Sequence, residues 1–322
     1  MRKVNWGVVG TAGIAKGQTI PGMKMAGNCN LYAIAGRSIE KANTFKEEFG
    51  FEKAYGSYDE LLDDPNVEAV YLPLPNHVHL GWIKKAALKG KHILCEKPLC
   101  GTVEETKEAH AFCKEHGVIL MEAFAYLHSE AINEIVDKIK GGAIGNIRLM
   151  ESCFFTGGPK PNDIRWIHDW YGGSVYDLGC YSISLILRIM NKLPNSIEAI
   201  GNFTEDEHVD DYCHMYLKFD GTAQASLGCG FNGMYRSDRM VFHGDKGSLW
   251  ADIEFNQCGK LHYWILTDDG REDFYVDTTN NYQLEVEQLS KCVLGEETPR
   301  ITEEFSVMVA TVIEEVLKKI GY

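Results

Sequence analysis

The 322-residue sequence has no long hydrophobic run. A membrane-spanning helix needs about 18 consecutive apolar residues, and no segment approaches that length. A strand-like segment follows almost directly on Met1, which leaves no room for the charged and apolar regions of a signal peptide. We therefore expect a cytoplasmic protein with no membrane association.

Basic residues are scarce relative to acidic ones. The chain has 32 lysines and arginines against 46 aspartates and glutamates, a net charge of −14. Nucleic-acid binding needs a basic surface, so we expect no nucleic-acid partner. The ten cysteines include no Cys-x-x-Cys pair. We expect reduced, mostly buried thiols and no metal site, because paired ligands at zinc-site spacing are missing.

The length corresponds to about two domains, and the pattern of the chain changes near residue 122. Over residues 1–122, short apolar runs at 4–9, 31–35, 69–72, 92–95 and 118–121 alternate with helical patterns. Continuous apolar strands between helices indicate a parallel sheet that is covered on both faces. We predict an α/β, doubly wound Rossmann domain over residues 1–122.

Residues 123–322 have a different pattern. Helices are predicted over 130–140 and 174–190, with a strand over 147–155 between them. From residue 197 to about residue 275, strand-like segments follow one another, separated by turn signals such as Asp269-Gly270. Helices over 282–293 and 303–320 end the chain. This order predicts an α+β domain built on a large, mostly antiparallel open sheet.

The first predicted strand runs into Gly10-Thr11-Ala12-Gly13-Ile14 and then into a helix. Such a turn lets backbone N–H groups and the helix N-terminus meet a pyrophosphate. We expect these five residues to bind a dinucleotide. The alternative is a tight turn without a ligand.

The end of the second predicted strand bears on the choice of cofactor. Folds that select NAD usually place an acid there, about 20 residues beyond the glycine turn, to bind the ribose hydroxyls. Here the strand ends in Arg37 and Ser38, with no acid at that point. These side chains can bind a 2′-phosphate. The pattern favours NADP, with NAD as the alternative cofactor and a solvated Arg37 as the alternative interpretation.

The loop after the third of these strands contains Pro75, Asn76, His77 and His79. It lies at the edge where a doubly wound sheet binds ligands. We expect Pro75 to shape the crevice floor, Asn76 to cap the next helix and His79 to line the cleft. The two histidines could be metal ligands, but no carboxylate or thiol completes the set.

Glu96-Lys97-Pro98 follows the next strand at the same edge. Lys97 is expected to point toward the cofactor, and the Lys97–Pro98 bond is a candidate for the cis form. The alternative is an ordinary surface lysine before a turn.

Asp177 and Tyr181 are candidates in the second domain. They are four residues apart in a predicted helix, so they share a face. A phenol has a pKa of about 10 and is a poor base at neutral pH unless a cation stabilises its anion. Lys97 is a candidate for that cation. The alternative is a helix-starting aspartate and a half-buried tyrosine.

Together these residues resemble the Gfo/Idh/MocA oxidoreductase family over essentially the whole chain. The resemblance rests on the turn at residues 10–15, Pro75-Asn76-His77-Val78-His79, Glu96-Lys97-Pro98, Glu122-Ala123-Phe124 and Asp177-x-Gly179-x-Tyr181. Many members have histidine where this chain has Tyr181. The tyrosine form is similar to the branch of dimeric dihydrodiol dehydrogenases, NADP-dependent xylose dehydrogenases and glucose–fructose oxidoreductase, which usually prefers NADP.

The resemblance implies roles for these residues. It makes Lys97 catalytic beside the nicotinamide, with Asp177 positioning the substrate, and it implies a homodimer formed through the exposed face of the second sheet. The expected cofactor contacts are Gly10, Thr11, Ala12, Gly13, Ile14, Arg37, Ser38, Pro75, Asn76, His79, Glu96 and Lys97. The expected substrate contacts are Lys97, Phe124, Arg165, Trp166, His168, Asp177 and Tyr181.

The expected activity is hydride transfer between NADP(H) and a secondary alcohol, lactol or carbonyl carbon of a sugar or cyclic trans-diol. Tyr181 would remove or return the hydroxyl proton. One alternative is a non-catalytic NADP-binding sensor, which has no need of a proton-transfer set. A metal-dependent lyase is another, and it lacks a ligand set in this sequence.

Overall fold

The structure is a computed structural model that describes residues 2–231, 233 and 235–322. Contacts between residues divide the chain into two compact units. The first is Met1–His128 with Asn280–Ser306, and the second is Ser129–Thr279 with Val307–Tyr322.

The first unit is built on a parallel sheet of six strands. They are β1 (Val4–Val9), β2 (Cys29–Ala35), β3 (Lys53–Tyr55), β4 (Ala69–Leu72), β5 (His92–Glu96) and β6 (Leu120–Ala123). Their order is β3-β2-β1-β4-β5-β6, the doubly wound order with a reversal between β1 and β4. The predicted Rossmann fold is confirmed. The three-residue edge strand β3, which is only partly buried, was not predicted.

Helices connect these strands. They are α1 (Ile20–Met25), α2 (Ile39–Phe49), α3 (Tyr58–Asp63), α4 (His79–Leu88) and α5 (Val103–Glu115), and a π-helical segment, Ala15–Thr19, precedes α1. Side-chain caps fix where three of them begin. The hydroxyls of Ser38, Ser57 and Thr102 each accept a hydrogen bond from the N–H three residues later, at 3.4, 3.2 and 3.1 Å. Ser57 and Glu60 form a Ser-x-x-Glu pattern, which is typical of a helix start.

Helix α8 (Asn281–Val293) belongs to the first unit although it lies far along the chain. Gly22 of α1 has no side chain to separate the two helices, and a Cβ there would lie 2.8 Å from the backbone of Tyr282. The indole of Trp6 on β1 donates to the Ser290 hydroxyl at 3.0 Å. The predicted division at residue 122 differs from these units, because it left residues 280–306 in the second domain.

The second unit contains an eight-stranded sheet. The strands are β7 (Ile147–Phe155), β8 (Ser196–Phe203), β9 (Asp210–Lys218), β10 (Gln224–Gly230), β11 (Ser237–Gly244), β12 (Gly247–Asp252), β13 (Gly259–Thr267) and β14 (Gly270–Thr278). Their order is β14-β13-β12-β11-β7-β10-β9-β8. Among the described strands of this sheet, only β7 and β10 pair in parallel, so the predicted, mostly antiparallel sheet is confirmed.

Helices cover one face of this sheet. They are α6 (Glu130–Lys140), α7 (Cys180–Met190) and α9 (Glu303–Ile320), and a π-helical segment, Val175–Gly179, leads into α7. Alternate residues of β9, Cys213, Met215 and Leu217, are buried on the covered face. Six residues of α7 are apolar and buried, which makes this helix part of the core. Within the described part of the chain, no helix is long and apolar enough to span a membrane.

Candidate functional site

The glycine turn at the end of β1 has the backbone that its sequence predicts. Gly10 has a φ of +130°, a conformation that a residue with a side chain rarely adopts. A Cβ there would lie 3.3 Å from Leu74 and 3.7 Å from the hydroxyl of Tyr58. The helical segment begins at Gly13, where a Cβ would meet nothing within 4 Å. Open space therefore lies beside Gly13, at the start of the helical segment.

The end of β2 presents a positive charge beside this turn. Arg37 is exposed, and Ser38 uses its hydroxyl to cap α2. Burial raises the pKa of Tyr58 and Arg37 opposes that rise, so guanidinium and phenol lie near each other. Tyr58 thus stands next to both Gly10 and Arg37, a position that the sequence patterns did not indicate.

The loop after β4 differs from one expectation. Asn76 was predicted to cap the following helix, but Asn76–Val78 forms a 3-10 turn, and α4 begins at His79 with no side-chain cap. The capping prediction is wrong because the 3-10 turn supplies the first turn of helix itself. Pro75 precedes that turn in extended conformation.

His79 holds two loops together. It is fully buried, and its ring nitrogens lie 2.8 Å from the carbonyl oxygen of Leu74 and 3.1 and 3.0 Å from those of Pro98 and Leu99. Burial lowers its pKa. Because its side chain has no exposed surface, any effect of His79 on a ligand passes through these backbone groups.

The turn after β5 contains the predicted cis bond between Lys97 and Pro98. Glu122 on β6 supports it, since a carboxylate oxygen accepts the N–H of Leu99 at 2.8 Å. Burial raises the pKa of Glu122 to about 7, while the N–H of Leu99 and the charge of Lys97 oppose the rise. Glu96, just before Lys97, accepts a hydrogen bond from Tyr71, whose hydroxyl accepts one from Thr19 at 2.9 Å. The backbone that carries Lys97 is therefore anchored from both sides.

In the second unit, a glycine pair joins a loop to the helix of Asp177 and Tyr181. A Cβ on Gly172 would lie 2.6 Å from the carbonyl oxygen of Arg165. Gly173 donates its N–H to that same oxygen at 2.9 Å and has a φ of +103°. Buried Asp210 accepts from the hydroxyl of Ser174 at 2.7 Å and from the N–H of Val175 at 2.8 Å.

Two predicted site residues meet across this junction. The Nε of Arg165 donates to the carboxylate of Asp177 at 2.7 Å, and its Nη1 donates to Asp163 at 3.1 Å. The charge of Asp177 is the main reason that the pKa of Arg165 is raised. The ion pair with Arg165 therefore fixes the direction of the Asp177 carboxylate.

Tyr181 lies against two phenylalanines. Its ring packs edge-on to Phe154 at 5.3 Å and tilted on Phe255 at 5.2 Å between centroids. The side-chain amide of Asn256 donates to the phenol oxygen at 3.3 Å. Asn256 lies between β12 and β13, and the sequence patterns did not single it out.

The other predicted substrate residues are spread more widely. Trp166 donates to the carbonyl of Lys160 at 3.2 Å, and His168 stacks on Tyr322 at 4.5 Å between centroids. Phe124 has no exposed surface and packs edge-on to Phe305 in the first unit. Its expected contact with substrate therefore requires movement of the surrounding side chains. Among the described residues, no group of three or more His, Cys, Asp or Glu side chains could hold a metal ion.

Comparison with known proteins places the chain in a family. Residues 4–124 match the model described as "Oxidoreductase family, NAD-binding Rossmann fold", and residues 132–250 match the GFO/IDH/MocA C-terminal domain. The chain is 36% identical to D-xylose 1-dehydrogenase (NADP(+)) 2 of Haloferax volcanii, over 96% of this chain and 95% of that protein. It is 28% identical to trans-1,2-dihydrobenzene-1,2-diol dehydrogenase of Sus scrofa, over 99% and 97%.

Solved structures agree with this assignment. A 3-ketoreductase from Actinomadura kijaniata, crystallised with NADP and TDP-benzene, superposes with a TM-score of 0.90 at 29% identity, covering 99% of this chain and 98% of that one. An aldose-aldose oxidoreductase from Caulobacter crescentus shares the fold, with a TM-score of 0.91 at 23% identity and the same coverage. The resemblance noted from the sequence is confirmed: the chain belongs to the Gfo/Idh/MocA family of oxidoreductases.

Proposed function

We propose that the chain is an NADP-dependent dehydrogenase or reductase that acts on a secondary alcohol, lactol or carbonyl carbon of a sugar or cyclic trans-diol. Support comes from full-length similarity to relatives whose names specify a sugar and a cyclic diol. The first unit would bind the cofactor and the second the substrate, with residues 280–306 completing the cofactor-binding domain.

The observation that favours NADP is the end of β2. Arg37 is exposed there, next to Tyr58 and the Gly10 turn, and Ser38 follows it at the start of α2. These groups suit a 2′-phosphate, which an acid at this point would repel. When bound, NADP supplies or accepts the hydride. The turn from Gly10 to Ile14, with Pro75, Asn76, Glu96 and Lys97, would hold the rest of the cofactor.

Lys97, Asp177 and Tyr181 would carry the proton chemistry. Tyr181 would take the hydroxyl proton during oxidation and return it during reduction. Lys97 would bind the reacting oxygen and favour the tyrosinate. Asp177, anchored by Arg165, would orient the substrate, and Trp166 and His168 would contact it from the preceding loop.

Cofactor choice is tested by fluorescence titration with NADPH and NADH. Arg37→Leu should weaken NADPH binding about 10- to 100-fold, as expected for losing a hydrogen bond to a charged group, and leave NADH binding unchanged. Arg2→Leu is the control, because Arg2 is exposed, pairs with Glu68 and precedes the opposite end of β1. Equal losses for both cofactors would contradict the assignment of Arg37.

Activity is tested with D-xylose, trans-1,2-dihydrobenzene-1,2-diol and a 3-keto dTDP-sugar, with the nicotinamide absorbance as the signal. Lys97→Met and Tyr181→Phe should each lower the rate about 10²- to 10⁴-fold while NADPH still binds. Wild-type hydride transfer in either variant would show that its proposed role is wrong. A chain that binds NADPH but turns over no substrate would favour the sensor.

We also propose a homodimer formed through the uncovered face of the second sheet. Cross-strand pairs place Val241, Trp250 and Trp264 in one row on this face, and the two indoles stack at 6.1 Å between centroids. Leu266 and Tyr275 are 49% and 61% exposed on the neighbouring positions. Apolar side chains clustered on one exposed face indicate a protein contact, and the face of an eight-stranded sheet suits a second copy of the chain.

Light scattering after size-exclusion chromatography tests this interface. The wild type should have twice the chain mass, and Trp264→Glu should be a monomer. Leu88→Glu is the control, since Leu88 is 62% exposed on α4 of the first unit. A monomeric wild type would contradict the proposal.

A cytoplasmic location belongs to the same proposal. All ten cysteines are free thiols and eight of them are buried, as expected in a reducing compartment. Recovery of the protein in the soluble fraction of lysed cells is the expected result, and recovery from the culture medium would contradict it.

A further inference from the structure

Arg236, just before β11, is held in a fixed position by contacts with its neighbours. Its Nε and Nη2 donate to the two carboxylate oxygens of Asp238 at 3.0 and 2.7 Å, and Nη2 also donates to the carbonyl of Phe255 at 2.5 Å. Asp238 has no exposed side-chain surface and accepts the N–H of Phe255 at 2.6 Å. The guanidinium carbon lies 4.8 Å from the centroid of the Phe154 ring.

Through these contacts, Arg236 shares two neighbours with Tyr181. Phe154 and Phe255, which contact Arg236, are the same two rings that pack on Tyr181. Burial would lower the pKa of Arg236, but Asp238, Glu254 and Tyr181 together raise it, so guanidinium and phenol interact electrostatically. Asn256, next in the chain after Phe255, donates to the phenol oxygen.

We propose that Arg236 and Asn256 are positioning residues for Tyr181, one favouring its anion by charge and the other fixing the direction of its oxygen. The inference rests on the proposed role of Tyr181 as the acid and base. It assigns part of the stabilisation of the Tyr181 anion to residues of the second unit itself, in addition to any contribution from Lys97. A fixed positive charge and a donated hydrogen bond both favour an ionised oxygen.

Acidic groups near Arg236 oppose its effect on the pKa of Tyr181. The direction in which that pKa changes can therefore be tested. Glu254 lies 3.3 Å from the Nε of Arg236 and its side chain is 54% exposed, while Asp238 is buried beneath the guanidinium. Asp177, four residues before Tyr181, is paired with Arg165. Removing the charge of Arg236 leaves these carboxylates, so the pKa of Tyr181 should rise. Removing the charge of Glu254 should lower it.

The experiment measures the ionisation of Tyr181 in two ways. The first is the tyrosinate absorbance of each protein minus that of the same protein carrying Tyr181→Phe. The second is the pH dependence of alcohol oxidation, which needs the tyrosinate and so rises with pH through its pKa. We expect Arg236→Gln to shift both curves upward by about one pH unit, the low end for an opposite charge nearby. Glu254→Gln should shift them downward, and Arg236→Lys should keep the wild-type position.

The outcomes separate this inference from the proposed function. If Tyr181→Phe retains hydride transfer, the role of Tyr181 is wrong and the inference has no basis. If Tyr181→Phe is inactive but Arg236→Gln and Glu254→Gln leave both curves unmoved, the inference is overturned and the proposed function stands. If Arg236→Gln fails to fold, judged by circular dichroism, Glu254→Gln decides the inference alone. A downward shift of both curves would then support it, and unmoved curves would overturn it. Asn256→Ala should lower kcat with little change in KM, and an unchanged kcat would remove Asn256 from the proposal.

Discussion

Gly173 offers the sharpest test of how the second unit holds the helix of Asp177 and Tyr181. Its φ of +103° disfavours any residue with a side chain. A Cβ at this position would lie 2.0 Å from Oδ1 and 2.9 Å from Cγ of buried Asp210. Gly173→Ala therefore perturbs both the backbone and the carboxylate that holds the start of the helix.

The two costs can be estimated separately. A residue with a side chain in a sparsely populated backbone region costs about 1–3 kcal/mol. To escape the new methyl group, Asp210 must also move away from the hydroxyl of Ser174 and the N–H of Val175, which now lie 2.7 and 2.8 Å away. Each of those hydrogen bonds contributes about 1 kcal/mol. The free energy of unfolding should therefore fall by about 3–5 kcal/mol.

A second glycine with a similar φ separates the cost of displacing Asp210 from the backbone cost. Gly270, the first residue of β14, has a φ of +114°, and a Cβ there would meet nothing within 4 Å. Urea denaturation should show that Gly270→Ala loses only the backbone part. The difference of about 2 kcal/mol belongs to Asp210 and should shrink when Gly173→Ala is combined with Asp210→Ala. If Gly173→Ala is no less stable than Gly270→Ala, the carboxylate does not hold this junction.

Two further predictions concern the same junction. Burial raises the pKa of Asp210 from 3.8 to about 7, so the folded state keeps a proton that the unfolded chain has lost, and stability should fall as pH rises from about 4 to 7. Denaturation at pH 5 and pH 8 should show that the wild type loses about 3 kcal/mol more than Asp210→Asn, and parallel losses would contradict this. Arg165→Met should change the free energy of unfolding by less than about 1 kcal/mol, because the Arg165 side chain is 42% exposed. It should lower kcat/KM at least about tenfold, since Asp177 loses its anchor, and steady-state kinetics with an unchanged kcat/KM would show that the anchor is dispensable.

Most of the first unit could be predicted because most of its strands have a recognisable local sequence pattern. The runs at β1, β4 and β5 are mostly apolar, as expected for strands covered on both faces, and the serine cap of α3 is visible in its own sequence. Strand β3 could not be found, since its three residues are only partly buried and pair with β2 alone. The position of α8 could not be found either. Its sequence indicates that one face is buried, but its partners, Gly22 of α1 and Trp6 of β1, are known only from the folded structure.

The candidate site divides in the same way. Lys97, Asp177 and Tyr181 belong to short motifs, and the family resemblance of those motifs implied their roles. Arg165 and Asp177 were separate candidates, and the ion pair that joins them follows from the path of the loop between them. Asp210, Arg236 and Asn256 belong to no motif, because they reach the helix from three different strand ends of the second sheet.

The difference between residues that belong to a motif and residues that do not has a physical cause, and it bears on substrate choice. A motif is visible in the sequence because its residues share one turn or one helix face. The protonation state and direction of the reacting groups depend on neighbours that come from anywhere in the chain. In this protein the surroundings of Tyr181 come from β7, from the start of β11 and from the turn before β13. Relatives with the same motif can therefore differ in substrate and pH range without changing a catalytic residue, and substitutions at Arg236 and Glu254 are where we expect such differences to arise.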